Sequence, residues 1–312
     1  MSKPGQAPTQ SAEDRPPPPR ADLLTILALV GATAGWGVGA TMTRLAVVEI
    51  APLATACLRF GMGALLLVGL LAWRGEVRRW PALRDWPLLL LLGGLGVTGF
   101  GALFTIGLQW TGPTEGTLIQ GTTPLMTLVL AALLAGEPIR RWQVAGGLMA
   151  FAGLGVLLLG GGTAAVGGGE DRLFGNLVLI GAGLCWAGYN VSVRLTARRL
   201  QLGESSAFAL LAGTLLLVPF ALWETPRGSL TTVGLSAWLA IAYLAVVSTC
   251  LAYVWWNHGI RKLGAGRAAM FSFVGPVAAM LSAIPLLGEW PTGGQMLGGA
   301  LILSGLFAAN RS

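Results

Sequence analysis

Apolar residues in this chain gather into about ten continuous runs of roughly twenty, each long enough to cross a 30 Å hydrocarbon layer as a helix. They fall at 23–48, 52–73, 86–110, 114–136, 142–162, 174–198, 205–223, 236–260, 264–287 and 293–310. Lipid offers no partner for backbone polar groups, so only helices and closed barrels span it. Runs that are continuous rather than alternating select helices. The predicted fold class is an all-α integral membrane protein with ten transmembrane helices. Charge agrees: 11% of the 312 residues are charged, whereas an ordinary soluble domain carries about a quarter.

Glycine is abundant, at 47 residues, about twice the usual share. Gly31, Gly35 and Gly39 recur every four residues on one face of the first helix, and bare faces of this kind let membrane helices approach closely. Residues 1–22, with four consecutive prolines at Pro16 to Pro19, read as a solvated, disordered cytoplasmic tail. The run after the tail has spanning length and no evident cleavage site, so it is expected to stay as a mature helix. Cys57, Cys185 and Cys250 lie inside apolar runs without paired spacing and read as small buried hydrophobes.

The net charge of +7 has two explanations, nucleic acid or topology, and the location of the basic residues decides between them. With the N-terminus in the cytoplasm, the short loops on the inner side hold Arg74, Arg78, Arg79, Arg84, Arg140, Arg141, Arg198, Arg199, Arg261, Lys262 and Arg267. The outer side holds only Arg172 and Arg227. This is the positive-inside asymmetry of a membrane protein with both termini in the cytoplasm. No nucleic-acid partner is expected.

The chain also repeats itself. A shift of 150 places Gly31, Trp36, Arg44 and Leu45 on Gly181, Trp186, Arg194 and Leu195. A shift of 152 places Trp86 on Trp238, Gly107 on Gly259, Pro124 on Pro276, Gly136 and Glu137 on Gly288 and Glu289, and Gln143 on Gln295. Shared Trp, Pro and Gln in register indicate duplication rather than common hydrophobicity. The expected units are the tail 1–22, a first repeat 23–162 and a second repeat 174–310. Five helices per repeat force the second to enter the membrane from the opposite side, so the repeats are inverted. Inverted repeats are a recurring transporter design with the site near the midplane between them.

These residues resemble the EamA family of the drug/metabolite transporter superfamily, in two copies over nearly the whole chain after the tail. The resemblance is carried by Trp36, the Leu58-Arg59-Phe60 step, the stretch from Trp256-Asn257 to Gly264, Pro276, Gly136-Glu137-Pro138 and its counterpart Gly288-Glu289. It implies ten helices, an inner-membrane location and transport of small metabolites, often efflux of amino acids or related compounds.

A polar path inside an apolar shell makes intramembrane polar and aromatic residues the substrate-binding candidates. Arg59 sits about 10 Å into the second helix at 1.5 Å per residue, and a central arginine costs roughly 2.5–3.5 kcal/mol on insertion scales. It either binds a substrate carboxylate bidentately or holds helix-end carbonyls. Trp36, Trp186, Tyr189 and Asn190 combine hydrogen-bonding groups with an aromatic wall. Tyr253, Trp256 and Asn257 share one face of the eighth helix, with the interfacial aromatic belt as the competing role for Trp256. Thr41, Gln109, Gln120 and Thr123 are further candidates, with helix–helix bonding as their alternative. Pro124 and Pro276, matched in helices four and nine, are hinge candidates because a mid-helix proline removes a backbone bond and kinks the helix, with static shape as the competing role. Glu137 and Glu289 are expected to cap or clamp helix ends, and His258 to pack or sit at the interface.

All 13 acidic residues fall in the tail, the loops or near helix ends, so no buried carboxylate offers itself as a proton carrier. Neither a metal nor a cofactor is expected, and the absence of a catalytic constellation argues against an intramembrane enzyme. The expected partners are a small-molecule substrate and the lipid bilayer, and the expected working unit is a monomer. Efflux of aromatic cations or drugs, and a non-transporting receptor or scaffold, are the alternatives.

Overall fold

The computed structural model describes residues 22–75, 81–110, 119–159, 170–197, 201–224, 233–287 and 290–309. Residues 1–21 of the predicted tail 1–22, the end of the fifth run and Gly288-Glu289 lie outside the described residues. The described chain is helical in ten spans: α1 (Leu23–Val47), α2 (Pro52–Trp73), α3 (83–110), α4 (Thr123–Ala135), α5 (Arg141–Leu159), α6 (Glu170–Thr196), α7 (Leu202–Glu224), α8 (Leu235–Leu263), α9 (265–287) and α10 (Gly293–Ala309). No strand occurs among the described residues.

Local chemistry sets several helix ends. Asp22 caps α1, its carboxylate accepting the Thr25 amide at 2.7 Å. Hydrogen bonding by the Thr25 side chain, and then by its amide, holds the Asp22 carboxyl below its ordinary value of 3.8. Pro52 opens α2 at a position whose amide has no helical partner. Gly136 ends α4 at φ 64° and Gly264 separates α8 from α9 at φ 90°, conformations that a side chain makes costly.

The packing obeys the two-fold relation read from the repeat. α1 packs on α8 and α9, and its counterpart α6 packs on α3 and α4, while α2 meets α7 and α5 meets α10. Small residues make these approaches possible in matched pairs. Leu29 of α1 covers Gly259 of α8, and Leu179 of α6 covers Gly107 of α3, where an added Cβ would lie 2.6 Å from the leucine Cγ. Gly63 rests against Thr249 and the Ala245 carbonyl, and Gly213 against the Gly93 carbonyl and Val97. Between α5 and α10, Gly146 faces Gly305 and Gly153 faces Gly298. Without a hydrophobic drive between helices in lipid, such backbone approach supplies much of the association. The face formed by Gly31, Gly35 and Gly39 receives Trp255, Val247 and Ser248 of α8.

Two features depart from the expectation of regular helices. α3 and α8 each contain a π-helical segment, Gly94–Gly99 and Leu244–Leu251, at positions matched by the repeat. The prolines read as mid-helix also sit differently. Pro124 lies in the first turn of α4, and Pro276 is the third residue of the segment Val274–Leu287, just after the 3₁₀ turn Phe271–Phe273 that breaks α9. A proline in a first turn removes no helical bond, because the amide it lacks is unpaired there anyway. Both prolines start a helix after a break rather than kinking one. The interior prolines are Pro219 in α7 and Pro285 in α9.

Tryptophan marks the spans' ends: Trp73, Trp110, Trp142, Trp223 and Trp290 are all exposed, as expected of residues at the headgroup level. Trp256 is fully buried instead, so the belt does not account for it. Polar clamps tie the termini of the spans. At one end Glu224 accepts the Leu53 amide, at 2.5 Å, and Glu49 accepts the Gly234 amide at 2.6 Å. At the other end Glu137 accepts the amides of Ala265 and Gly266 at 2.9 and 3.1 Å and pairs with Arg194 at 3.5 Å.

Candidate functional site

Where the halves meet, the repeat brings together seven aromatic rings: Trp36 of α1, Phe60 of α2, Phe100 of α3, Trp186 and Tyr189 of α6, and Tyr253 and Trp256 of α8. Trp36 stands edge-on to Trp186 with centroids 5.3 Å apart and 5.1 Å from Trp256. Trp186 stacks on Tyr189 at 5.2 Å and leans on Phe100 at 5.1 Å. Tyr253 joins Phe60 to Trp186, at 6.2 and 5.9 Å. Such pairs stabilise beyond their buried area by about 0.5–1.5 kcal/mol each.

Beside the rings lies a buried polar network. The Trp256 indole N–H donates to Asn190 Oδ1 at 2.8 Å, and the Tyr189 hydroxyl donates to Asn257 Oδ1 at 2.9 Å. Asn257 Nδ2 donates to Ser206 Oγ at 2.8 Å, and Asn190 Nδ2 reaches Thr127 Oγ1 at 3.4 Å. Tyr189, Asn190, Trp256 and Asn257 are each at most 2% exposed. Their polar atoms are engaged with one another, joining α4, α6, α7 and α8.

The π segments also border the rings. A π turn leaves a carbonyl without its usual helical partner, and such turns recur at functional sites. Tyr253 donates its hydroxyl to the Gly96 carbonyl at 3.0 Å, and Trp36 donates its indole N–H to the Ser248 carbonyl at 2.7 Å. Gly96 and Ser248 correspond under the shift of 152, and Trp36 and Trp186 under the shift of 150. The symmetric partner of the Trp36 bond would run from Trp186 to Gly96, but the donor that meets that carbonyl is Tyr253. The Trp186 indole nitrogen has no hydrogen-bond partner among the described residues and is not sealed off from the surroundings.

Arg59 is half-buried on α2 with its guanidinium 4.5 Å from the Phe60 ring centroid. Its Nε is buried without a partner, and no carboxylate or helix-end carbonyl meets the side chain among the described residues. The remaining candidates lie apart from the rings or are internally satisfied. Thr41 shares a 3.3 Å contact with Ser282 of α9. Gln120 donates to the Leu179 carbonyl at 3.0 Å and accepts from Thr123 at 3.3 Å. The Gln109 side chain lies outside the described residues. His258 of α8 faces Thr25 at 3.3 Å. Among the described residues, no group of three or more metal-ligating side chains gathers. Sequence reasoning did not single out Phe100, Thr127 or Ser206, since an isolated Phe, Thr or Ser in an apolar run carries no signal of what it faces. Nor did it find the π segments, which apolar composition does not encode.

Ten helices in two inverted sets of five, enclosing an aromatic and polar site where the sets meet, define a multi-pass membrane transporter of the duplicated type. The chain belongs to the EamA-like transporter family, whose model matches residues 23–159 and again 173–311. It is 27% identical over 287 residues to the uncharacterized transporter YyaM of Bacillus subtilis, covering 90% of this chain and 92% of that one. A probable terminal-alkyne amino-acid exporter of Streptantibioticus cattleyicolor is 27% identical, covering 89% of this chain and 85% of its own. A probable amino-acid metabolite efflux pump of Salmonella typhimurium is 27% identical, covering 87% and 90% respectively. A solved crystal structure superposes with a TM-score of 0.78 at 26% identity, covering 91% of this chain and 96% of that one.

Proposed function

We propose that this protein exports amino acids or related compounds across the inner membrane by alternating access between its two inverted repeats. The observation that carries the reading is Arg59: a guanidinium with no counter-charge among the described residues, beside a seven-ring aromatic cluster between the halves. An unpaired cation is costly in a membrane interior unless a ligand completes it. A bidentate carboxylate on the arginine, with the side chain against the rings, fits both parts of the site. Two of the relatives carry amino-acid export in their names.

In this proposal the termini lie in the cytoplasm, as the distribution of Lys and Arg requires. The clamp of Glu137, Arg194 and the start of α9 then faces the cytoplasm. The residues 23–162 and 174–310 act as the moving halves, and one chain holds a complete pathway, so a monomer suffices. The basic charge serves topology and not nucleic acid, and the site performs transport rather than a reaction.

Export of aromatic cations is the second reading, because the rings suit such ligands. Arg59 opposes it by like-charge repulsion. The test loads cells with dipeptides, whose hydrolysis raises internal amino acids, and follows the medium. Faster amino-acid excretion in expressing cells supports the proposal. Resistance to ethidium without excretion supports the second reading, and neither effect supports a scaffold.

A further inference from the structure

We infer that a polar seam between α6 and α8 is the cytoplasmic gate of this protein and that the chain rests with this gate closed, an inference that rests on the proposed alternating access and orientation. The seam runs from the rings to the cytoplasmic ends of both helices. Tyr189 bonds Asn257, Trp256 bonds Asn190, and Arg194 bonds the Arg261 carbonyl, at 2.9, 2.8 and 2.8 Å. Glu137 latches the end of the seam, holding the first amides of α9 and Arg194 at once.

The repeat supplies an internal comparison, because its two shifts carry α6 and α8 onto α1 and α3. Tyr189 and Asn190 fall on Gly39 and Ala40, and Trp256 and Asn257 fall on Phe104 and Thr105. Neither side-chain bond can form there, since Gly39 and Ala40 have no polar side-chain group. The packing differs in the same sense. Among the described residues α6 lies against Ala252–Leu263 of α8, whereas α1 makes no comparable packing against the matching Phe100–Trp110 of α3. Gly39 rests on Ser248 and Leu244 of α8 instead, and Phe104 stacks on Phe100. The carboxylate clamps at the outer end do not join α1 to α3 either: Glu49 ties α1 to the start of α8, and Glu224 ties α7 to α2. Inverted halves that exchange conformations exchange these two seams. The α6–α8 seam then parts while α1 closes on α3 through small and apolar residues. The polar bonds given up have no counterpart in the seam that forms, so the balance favours the state closed to the cytoplasm.

The test measures distances between spin labels on the full chain in liposomes, with its three cysteines replaced by alanine. One label pair, at the exposed Leu195 and Lys262, reads the cytoplasmic ends of α6 and α8; the other, at the exposed Val48 and Trp110, reads the outer ends of α1 and α3. With the seam intact, the cytoplasmic pair should give mainly its short distance. Tyr189→Phe keeps the ring and removes one donor, and it should shift the ratio of closed to parted chains roughly tenfold towards parted, the scale of one hydrogen bond. The cytoplasmic distance then lengthens and the outer one shortens together. Should that variant not fold, Arg194→Ala, at the exposed end of the seam, should move both distances in the same directions. A cytoplasmic pair that is already mainly long, distances unmoved in both variants, or a cytoplasmic distance that lengthens while the outer one stays, overturns the inference. Coupled changes in a chain that carries no amino acid support the gate and overturn the proposed cargo.

Discussion

The Trp256 indole nitrogen donates to Asn190 Oδ1 across 2.8 Å, and this bond is the middle rung of a ladder between α6 and α8. Tyr189 meets Asn257, Asn190 meets Trp256, and Arg194 donates to the Arg261 carbonyl at 2.8 Å. The two helices contribute residues with identical spacing: 189, 190 and 194 from one, 256, 257 and 261 from the other. Replacing Asn190 with Leu leaves the Trp256 N–H buried without a partner, at a cost of about 1–3 kcal/mol. A lowered unfolding midpoint in detergent is the expected result, and an unchanged midpoint would mean the rung carries no net stability.

Backbone contact between α3 and α7 makes Gly213 intolerant of any side chain. An added Cβ would lie 2.5 Å from both the Gly93 carbonyl oxygen and Val97 Cβ, neither of which is a flexible tip. Gly213→Val should abolish recovery of folded protein in membranes. Gly155 has nothing within 4 Å of such an atom, and Gly155→Ala should raise stability by up to about 1 kcal/mol, the propensity gain of a helix interior. Size-exclusion recovery and thermal unfolding separate the two.

Glu137 both caps the start of α9 and pairs with Arg194, and the two roles differ in weight. The Arg194 side chain is 41% exposed, and exposed ion pairs contribute about 0–1 kcal/mol. Loss of a helix cap costs about 0.5–2 kcal/mol. Glu137→Ala should therefore destabilise clearly, Glu137→Gln less because one amide acceptor remains, and Arg194→Ala least. Unfolding midpoints of the three variants in that order confirm that the cap dominates.

Asp22 supplies a pH-dependent contribution at the start of α1. Its carboxyl sits below 3.8 in the folded chain because Thr25 bonds to the ionised form. The contribution is fully present above the ordinary value and is lost as pH falls through the lowered one. The difference in unfolding midpoint between wild type and Asp22→Ala should stay constant from about pH 8 to 5 and shrink only below about pH 4.

The duplication was legible because Trp, Pro and Gln are rare enough in apolar runs to fix a register, and the register then located the inverted halves. Arg59 was legible because a cation within a span always requires an explanation. What Asn190, Trp256 and Asn257 face was not, since single residue types do not reveal whether a polar atom bonds to a neighbouring helix or to a ligand. The tertiary structure commits those atoms to one another. The local setting of the prolines was not legible for a related reason: Pro124 and Pro276 have the same composition context as a kink, and only the turn before each shows that it lies in the first turn of a helical segment. The Gly96 and Ser248 carbonyls that accept from Tyr253 and Trp36 lie in π turns, a backbone geometry that no side-chain pattern announces.

Flux of labelled phenylalanine and leucine into liposomes containing the purified chain, with and without an imposed pH gradient, tests the transport account most directly. With the described carboxylates at the ends of the spans rather than in their middles, the account predicts saturable flux that is indifferent to the gradient and lost in Arg59→Gln. Absence of flux, or flux that the gradient drives and Arg59→Gln retains, would contradict it.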